Sequence, residues 1–223
     1  MPRQARVAVG DEIYHVINRS NGRVKIFHND SDYRHFESLL LEAKELTNMR
    51  ILAYCIMPNH WHLILNPRND KDLSEFMRWL TTTHVRQVRT KTNSIGHGHL
   101  YQGAYKSFIV ETEKYLVQLI RYIEQNPFRA KMVKNAQNWQ WSSLFVREKG
   151  KVNQKKILDP LPVDLPTNYI KSVNEVYNED VLENIRYSVL KGKPFGSEKW
   201  TEDKIKKYKL SSTLRRPGRP KRG

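Results

Sequence analysis

Two strand-like runs separated by only two residues constrain this chain more than any other feature. Residues 50–57, RILAYCIM, are almost wholly apolar. Residues 60–65, HWHLIL, follow after Pro58 and Asn59, a turn pair. Strands this closely joined fold back on each other as an antiparallel hairpin. The unbroken apolarity of the first run predicts a central strand covered on both faces. Side chains alternate along a strand, so His60 and His62 share one face and Trp61 takes the other. Their Cα atoms stand about 6–7 Å apart, close enough for two imidazoles to converge on one cation or one phosphate. Two histidines satisfied by ordinary hydrogen bonds would have the same spacing, so the pattern alone leaves both readings open.

The other elements arrange themselves around that hairpin. Residues 12–18, EIYHVIN, alternate and read as an earlier strand, with His15 either a ligand or a structural histidine. Asn29 or Asp30 can cap a helix running to Thr47, with Tyr33, Phe36, Leu39, Leu40, Ala43 and Leu46 on its buried face. Asp72 and Glu75 have the spacing of an N-cap and its partner at the head of a second helix, to about Thr90. Residues 100–110 regain strand character, with a bulge expected at Gly103. Thr112 can cap a third helix, stopped by Asn126-Pro127 because a residue before proline is pushed from helical angles. In that helix Leu116, Leu119, Ile120 and Ile123 form the apolar stripe. Tyr115, Tyr122 and Asn126 lie along one edge of it, and Tyr122 and Asn126 are one turn apart. A tyrosine at a core edge either packs with its hydroxyl in water or serves as a nucleophile. The order strand, helix, two strands, helix, strand, helix predicts an α+β fold with a ferredoxin-like, split βαβ sheet. On that plan the last helix crosses the sheet near His60 and His62.

The chain carries 39 Lys and Arg against 23 Asp and Glu, a formal net charge of +16 over 223 residues. Such an excess calls for a polyanion, nucleic acid first and an anionic membrane surface second. No apolar run reaches the length of a membrane span, and MPRQARVAVG lacks the apolar segment of a secretory signal. The expected location is the cytoplasm, on nucleoid DNA. The single cysteine, Cys55, excludes a disulfide within the chain and a cysteine-based zinc site, and reads as a small buried hydrophobe. A second histidine pair, His97 and His99, sits in a glycine-rich loop unsuited to a rigid site. Candidate phosphate contacts are Arg19 and Arg23 in a turn-rich loop, Arg78 and Arg86 on the polar face of the second helix, and Arg215, Arg216 and Arg219 in the basic tail. Proline punctuation places a linker at 149–166, between a first domain over 1–148 and a helical region over 167–210 with a basic tail at 211–223.

His60-Trp61-His62 resembles the histidine–hydrophobic–histidine motif of single-tyrosine HUH endonucleases. Tyr122-Ile-Glu-Gln-Asn126 resembles their tyrosine helix. IYHVINRS, MPNHWHLI, RYIEQNPFRA, WQWSS and the terminal GRPKRG are together similar to the REP-associated tyrosine transposases, relatives of the IS200/IS605 transposases. IS200/IS605 enzymes usually carry glutamine where this chain has Asn126, as the REP-associated branch does. The resemblance implies that His60, His62 and Asn126 hold Mg²⁺ or Mn²⁺ and that Tyr122 is the nucleophile. It implies cleavage and rejoining of single-stranded DNA beside a REP-like hairpin, through a 5′-phosphotyrosine. REP-associated relatives imply a monomer, and IS200/IS605 relatives a homodimer with shared active sites. Two other classes fit the same residues: a DNA-binding protein without cleavage, and a metal-dependent nuclease that uses water.

Overall fold

The computed structural model describes residues 7–94, 96 and 98–214. A four-stranded sheet is built from β1 (Ile13–Arg19), β2 (Arg50–Met57), β3 (His60–Asn66) and β4 (Lys106–Val110), in the order β2-β3-β1-β4. All neighbours are antiparallel. With α1 (Asp30–Thr47) between β1 and β2, and α2 (Asp72–Lys91) between β3 and β4, this is the expected split βαβ sheet. The β2-β3 hairpin turns at Pro58-Asn59, and the histidine strand is internal.

The two sheet faces bury different partners. Tyr14, Val16, Tyr54, Ile56, Trp61, Leu63 and Leu65 pack against Phe36, Leu39 and Leu40 of α1 and Phe76, Met77 and Leu80 of α2. On the opposite face Ala53, Cys55, Met57, Ile64 and Phe108 meet Leu116, Leu119, Ile120 and Ile123 of α3 (Lys114–Glu124). The chain then adds α4 (Asn126–Arg129), α5 (Ser143–Lys149), α6 (Val152–Lys155), α7 (Tyr169–Val173), α8 (Glu179–Lys191) and α9 (Glu198–Lys207). Tyr169, Val173, Leu182 and Ile185 of these later helices join the α3 side of the core.

Several local expectations change. β2 is an edge strand, although every residue after Arg50 is buried. Loop residues and the first residue of α5, rather than another strand, cover its edge. Ile56 N–H donates to Trp141 O (2.9 Å), Tyr54 N–H to Ser143 Oγ (3.0 Å), and Asp159 N–H to Ile51 O (2.8 Å). β4 is covered in the same way by Phe195, whose N–H donates to Ile109 O (2.9 Å). Blocking both edges removes the unpaired backbone groups that invite aggregation. The Asn29 cap of α1 holds, with a full capping box to Asp32. At α2, however, Asp72 is the first helical residue; Lys71 precedes it at φ 75°, and Asp72 receives the N–H of Asn69 (2.8 Å). The fourth strand begins only at Lys106, and Gly103 lies outside it at φ 150°. Glu113, not Thr112, precedes α3, at φ 62°. α3 does end just before Asn126-Pro127, at Glu124, but the chain turns helical again at once: Pro127 occupies the first turn of α4, where its missing N–H costs nothing. Leu46, expected on the buried face of α1, is exposed. Among the described residues no helix is long and apolar enough to cross a membrane.

Candidate active site

The stripe that sinks α3 into the sheet also delivers Tyr122 to the histidine pair. The rings of His60 and His62 lie 5.1 Å apart on the sheet face that α3 covers. Tyr122, largely buried at the edge of that stripe, presents its ring edge-on to His62 at 6.0 Å. Tyr115, the other tyrosine on this helix, packs against Phe195 instead, at 5.3 Å.

Asn126 stands one turn beyond Tyr122. Its amide donates to the carbonyls of Tyr122 and Ile123 (both 3.1 Å), and its Oδ1 accepts from Arg129 (3.0 Å). The Arg129 guanidinium also lies over the Tyr122 ring, 4.5 Å from its centroid. Arg129 was not singled out from the sequence, although Tyr122, Asn126 and Arg129 follow the i, i+4, i+7 spacing of one helical face. Arg19 enters from β1, directly opposite His60 in the ladder.

Both histidines are held neutral. Burial, with Arg19 and Arg129 nearby, lowers His60 to about 4. Burial and then the neighbouring His15, His60, Arg129 and Arg19 push His62 well below the usual range. Neutral imidazoles keep a lone pair for a cation. His60 is oriented as well. Its Nδ1 lies 2.7 Å from Asn59 Oδ1, and the Asn59 amide donates to Arg23 O (2.9 Å). An amide oxygen only accepts, so His60 Nδ1 carries the hydrogen and Nε2 keeps the lone pair. Among the described residues no group of three or more His, Cys, Asp or Glu is placed to hold a metal. Two imidazoles with the Asn126 amide oxygen, which here accepts from Arg129, would make a mixed N/O set whose chemistry suits Mn²⁺ or Mg²⁺.

The same neutrality predicts acid lability. His15 and His84 are lowered to about 3 by burial, as His60 is to about 4. An unfolded histidine binds its proton near pH 6.5. Below that value the unfolded chain binds more protons, so stability falls with pH until the folded values are reached. Each group should cost about 2 kcal/mol by pH 5. Glu37, raised by burial, acts in the opposite direction but is one group against several. Urea titrations at pH 7.5 and pH 5 should show a fall of several kcal/mol; equal midpoints would mean these imidazoles do protonate in the fold.

Not every predicted residue converges here. Arg23 reaches the site through its carbonyl on Asn59. Arg78 and Arg86 line a groove of about 730 Å³ with Asn18, Tyr101 and Tyr105. That groove lies along α2, on the other side of the sheet from the histidine pair. Arg215, Arg216, Arg219 and His97 lie outside the described residues.

Residues 8–126 match the sequence family described as Transposase IS200 like. The chain is 25% identical over 122 residues to a protein of Haemophilus influenzae (strain Rd) named as a REP-associated tyrosine transposase, covering 51% of this chain and 69% of that protein. It is also similar to the solved structure of a REP-associated tyrosine transposase bound to a REP hairpin, with a TM-score of 0.55 and 18% identity, over 80% of this chain and 99% of that one. That likeness is one of fold, and it extends past the sheet into the later helices. The family match takes in every strand, the histidine pair and the tyrosine helix through Asn126, more than half of the chain, and so the protein belongs to the IS200-like transposases.

Proposed function

We propose that this transposase cuts and rejoins single-stranded DNA beside a REP-like hairpin, with Tyr122 as the nucleophile. The observation that carries this reading is the placement of the Tyr122 ring against His62, on the face shared with His60, all within one chain. One chain thus brings the tyrosine to the histidine pair, which supports action as a monomer. The net positive charge supports nucleic acid as the partner, and the place of action proposed is the cytoplasm, on nucleoid DNA.

Tyr122 Oη would attack the scissile phosphorus. The new P–Oη bond leaves the 5′ side of the DNA on the protein, the P–O3′ bond breaks, and the phenolic proton ends on the 3′ oxygen. The phosphodiester energy is retained in the phosphotyrosine, so a 3′-hydroxyl can reverse the step without ATP. A divalent cation, Mg²⁺ or Mn²⁺, held by His60, His62 and Asn126, would supply Lewis-acid polarisation of the phosphate. Arg129 Nη1 is buried and has no hydrogen-bond partner among the described residues. Beside Tyr122 it is placed to donate to a phosphate oxygen. Arg19 and Arg23 would hold the strand near His60, and Arg78, Arg86 and the tail arginines Arg215, Arg216 and Arg219 the flanking DNA.

Single-stranded hairpin oligonucleotides with Mg²⁺ or Mn²⁺, run on a denaturing gel, test the reading. A protein–DNA band that EDTA abolishes is the expected result. Cleavage with no such band would point to a hydrolytic nuclease. Tight hairpin binding without cleavage would point to a binding protein.

A further inference from the structure

A third histidine stands behind the pair. His15 lies opposite Ile64 in the ladder, which makes it the diagonal neighbour of His62 on the same face. Its Nε2 is 2.9 Å from His62 Nδ1, and the two rings stack at 5.1 Å. Phe108 closes the other side of His15 at 4.8 Å. His15 is fully buried. Its Nδ1 is buried with no hydrogen-bond partner among the described residues. Among the described residues, the one polar contact of the His15 ring is therefore His62.

A single hydrogen lies between the two nitrogens, and which ring carries it decides what His62 can do. If His15 donates, neutral His62 keeps its hydrogen on Nε2. Its only lone pair is then spent on His15, and none remains for a cation. If His62 donates from Nδ1, its Nε2 lone pair is bare, and His15 carries its own hydrogen on the unpartnered Nδ1. Orphaned buried polar atoms are uncommon in folded proteins and call for an explanation. Resting on the reading of His62 as a metal ligand, we infer that His15 is a positioning residue. It accepts the Nδ1–H of His62 and thereby leaves the His62 Nε2 lone pair for the cation. Asn59 does the same for His60 through an amide oxygen. Partners of this kind orient ligating imidazoles and raise their basicity.

The test measures Mn²⁺ affinity of the full chain by the loss of the free-ion electron paramagnetic resonance signal. The proteins are wild type, His62→Ala, His15→Leu and His15→Gln, each checked for folding by circular dichroism. His62→Ala should lose the site. His15→Leu, which removes the acceptor and keeps the bulk apolar, should weaken Mn²⁺ by about 10–100-fold. His15→Gln restores a carbonyl oxygen near the former Nε2 and should return affinity to within about threefold of wild type. Nitrogen-15 imidazole spectra of the Mg²⁺-saturated wild type should show the His62 hydrogen on Nδ1, a readout that needs no variant to fold. His62 hydrogen on Nε2, or wild-type affinity in His15→Leu while His62→Ala has lost the site, would overturn the inference. Undiminished Mn²⁺ binding by His62→Ala would instead overturn the ligand reading on which it rests.

Discussion

Tyr122→Phe is expected to abolish the covalent protein–DNA product, by on the order of 10⁴-fold or more, because it deletes the attacking atom itself. The substitution is informative because it removes so little else. The phenyl ring can keep its edge-on contact with His62 and its place under Arg129, at the 6.0 Å and 4.5 Å spacings seen for tyrosine. Tyr122 Oη donates no hydrogen bond that packing depends on among the contacts described for it. Hairpin binding should therefore survive, within about threefold, as phosphate contacts from arginines set affinity and do not involve the nucleophile. A gel time course beside a binding titration separates the two. Persistence of the covalent band would direct attention to Tyr115, which would have to leave Phe195 to reach DNA.

The second large effect concerns the back of the same helix. Glu124 sits between Tyr122 and Asn126 but is completely buried on the far side of α3. Its carboxylate accepts from Ser143 Oγ and Arg147 on α5 and from Tyr169 Oη on α7 (2.6 Å). One acid thus ties the tyrosine helix to two later helices. Glu124→Ala should cost about 3 kcal/mol, the lower end for breaking a buried pair, since Arg147 is partly exposed and regains water. For a chain of this size that is a drop of about 6–12 °C in Tm. Urea unfolding with an unchanged slope and a lower midpoint is the expected form. An unchanged midpoint would show that α3 is held by its apolar stripe alone. Glu124→Gln should be milder, because its one amide oxygen can still accept from Ser143 and its NH2 can donate to a Tyr169 hydroxyl that turns to accept, while the charge on Arg147 goes unanswered.

The chain itself determined the sheet and one half of the site. A two-residue turn between apolar runs forces a hairpin, and the strand–helix–strand spacing around it admits few other topologies. The period of two placed His60 and His62 on one face, and the period of 3.6 placed Tyr122 one turn from Asn126. Those relations are local, and local geometry is what a sequence pattern encodes. Position across the fold is not local. The apolarity of Arg50–Met57 reports burial but not what buries it, and it was Trp141, Ser143 at the head of α5, and Asp159 that covered β2. Arg78 and Arg86 read as charge on a helix face, yet only the packing of α2 sets them on the opposite side of the sheet from the histidines. The contact of His15 with His62 joins residues 47 apart in sequence through a diagonal register, and no periodicity within either strand carries that register. Tertiary structure decided these because each depends on a distance between elements, which the alternation inside one element leaves undetermined.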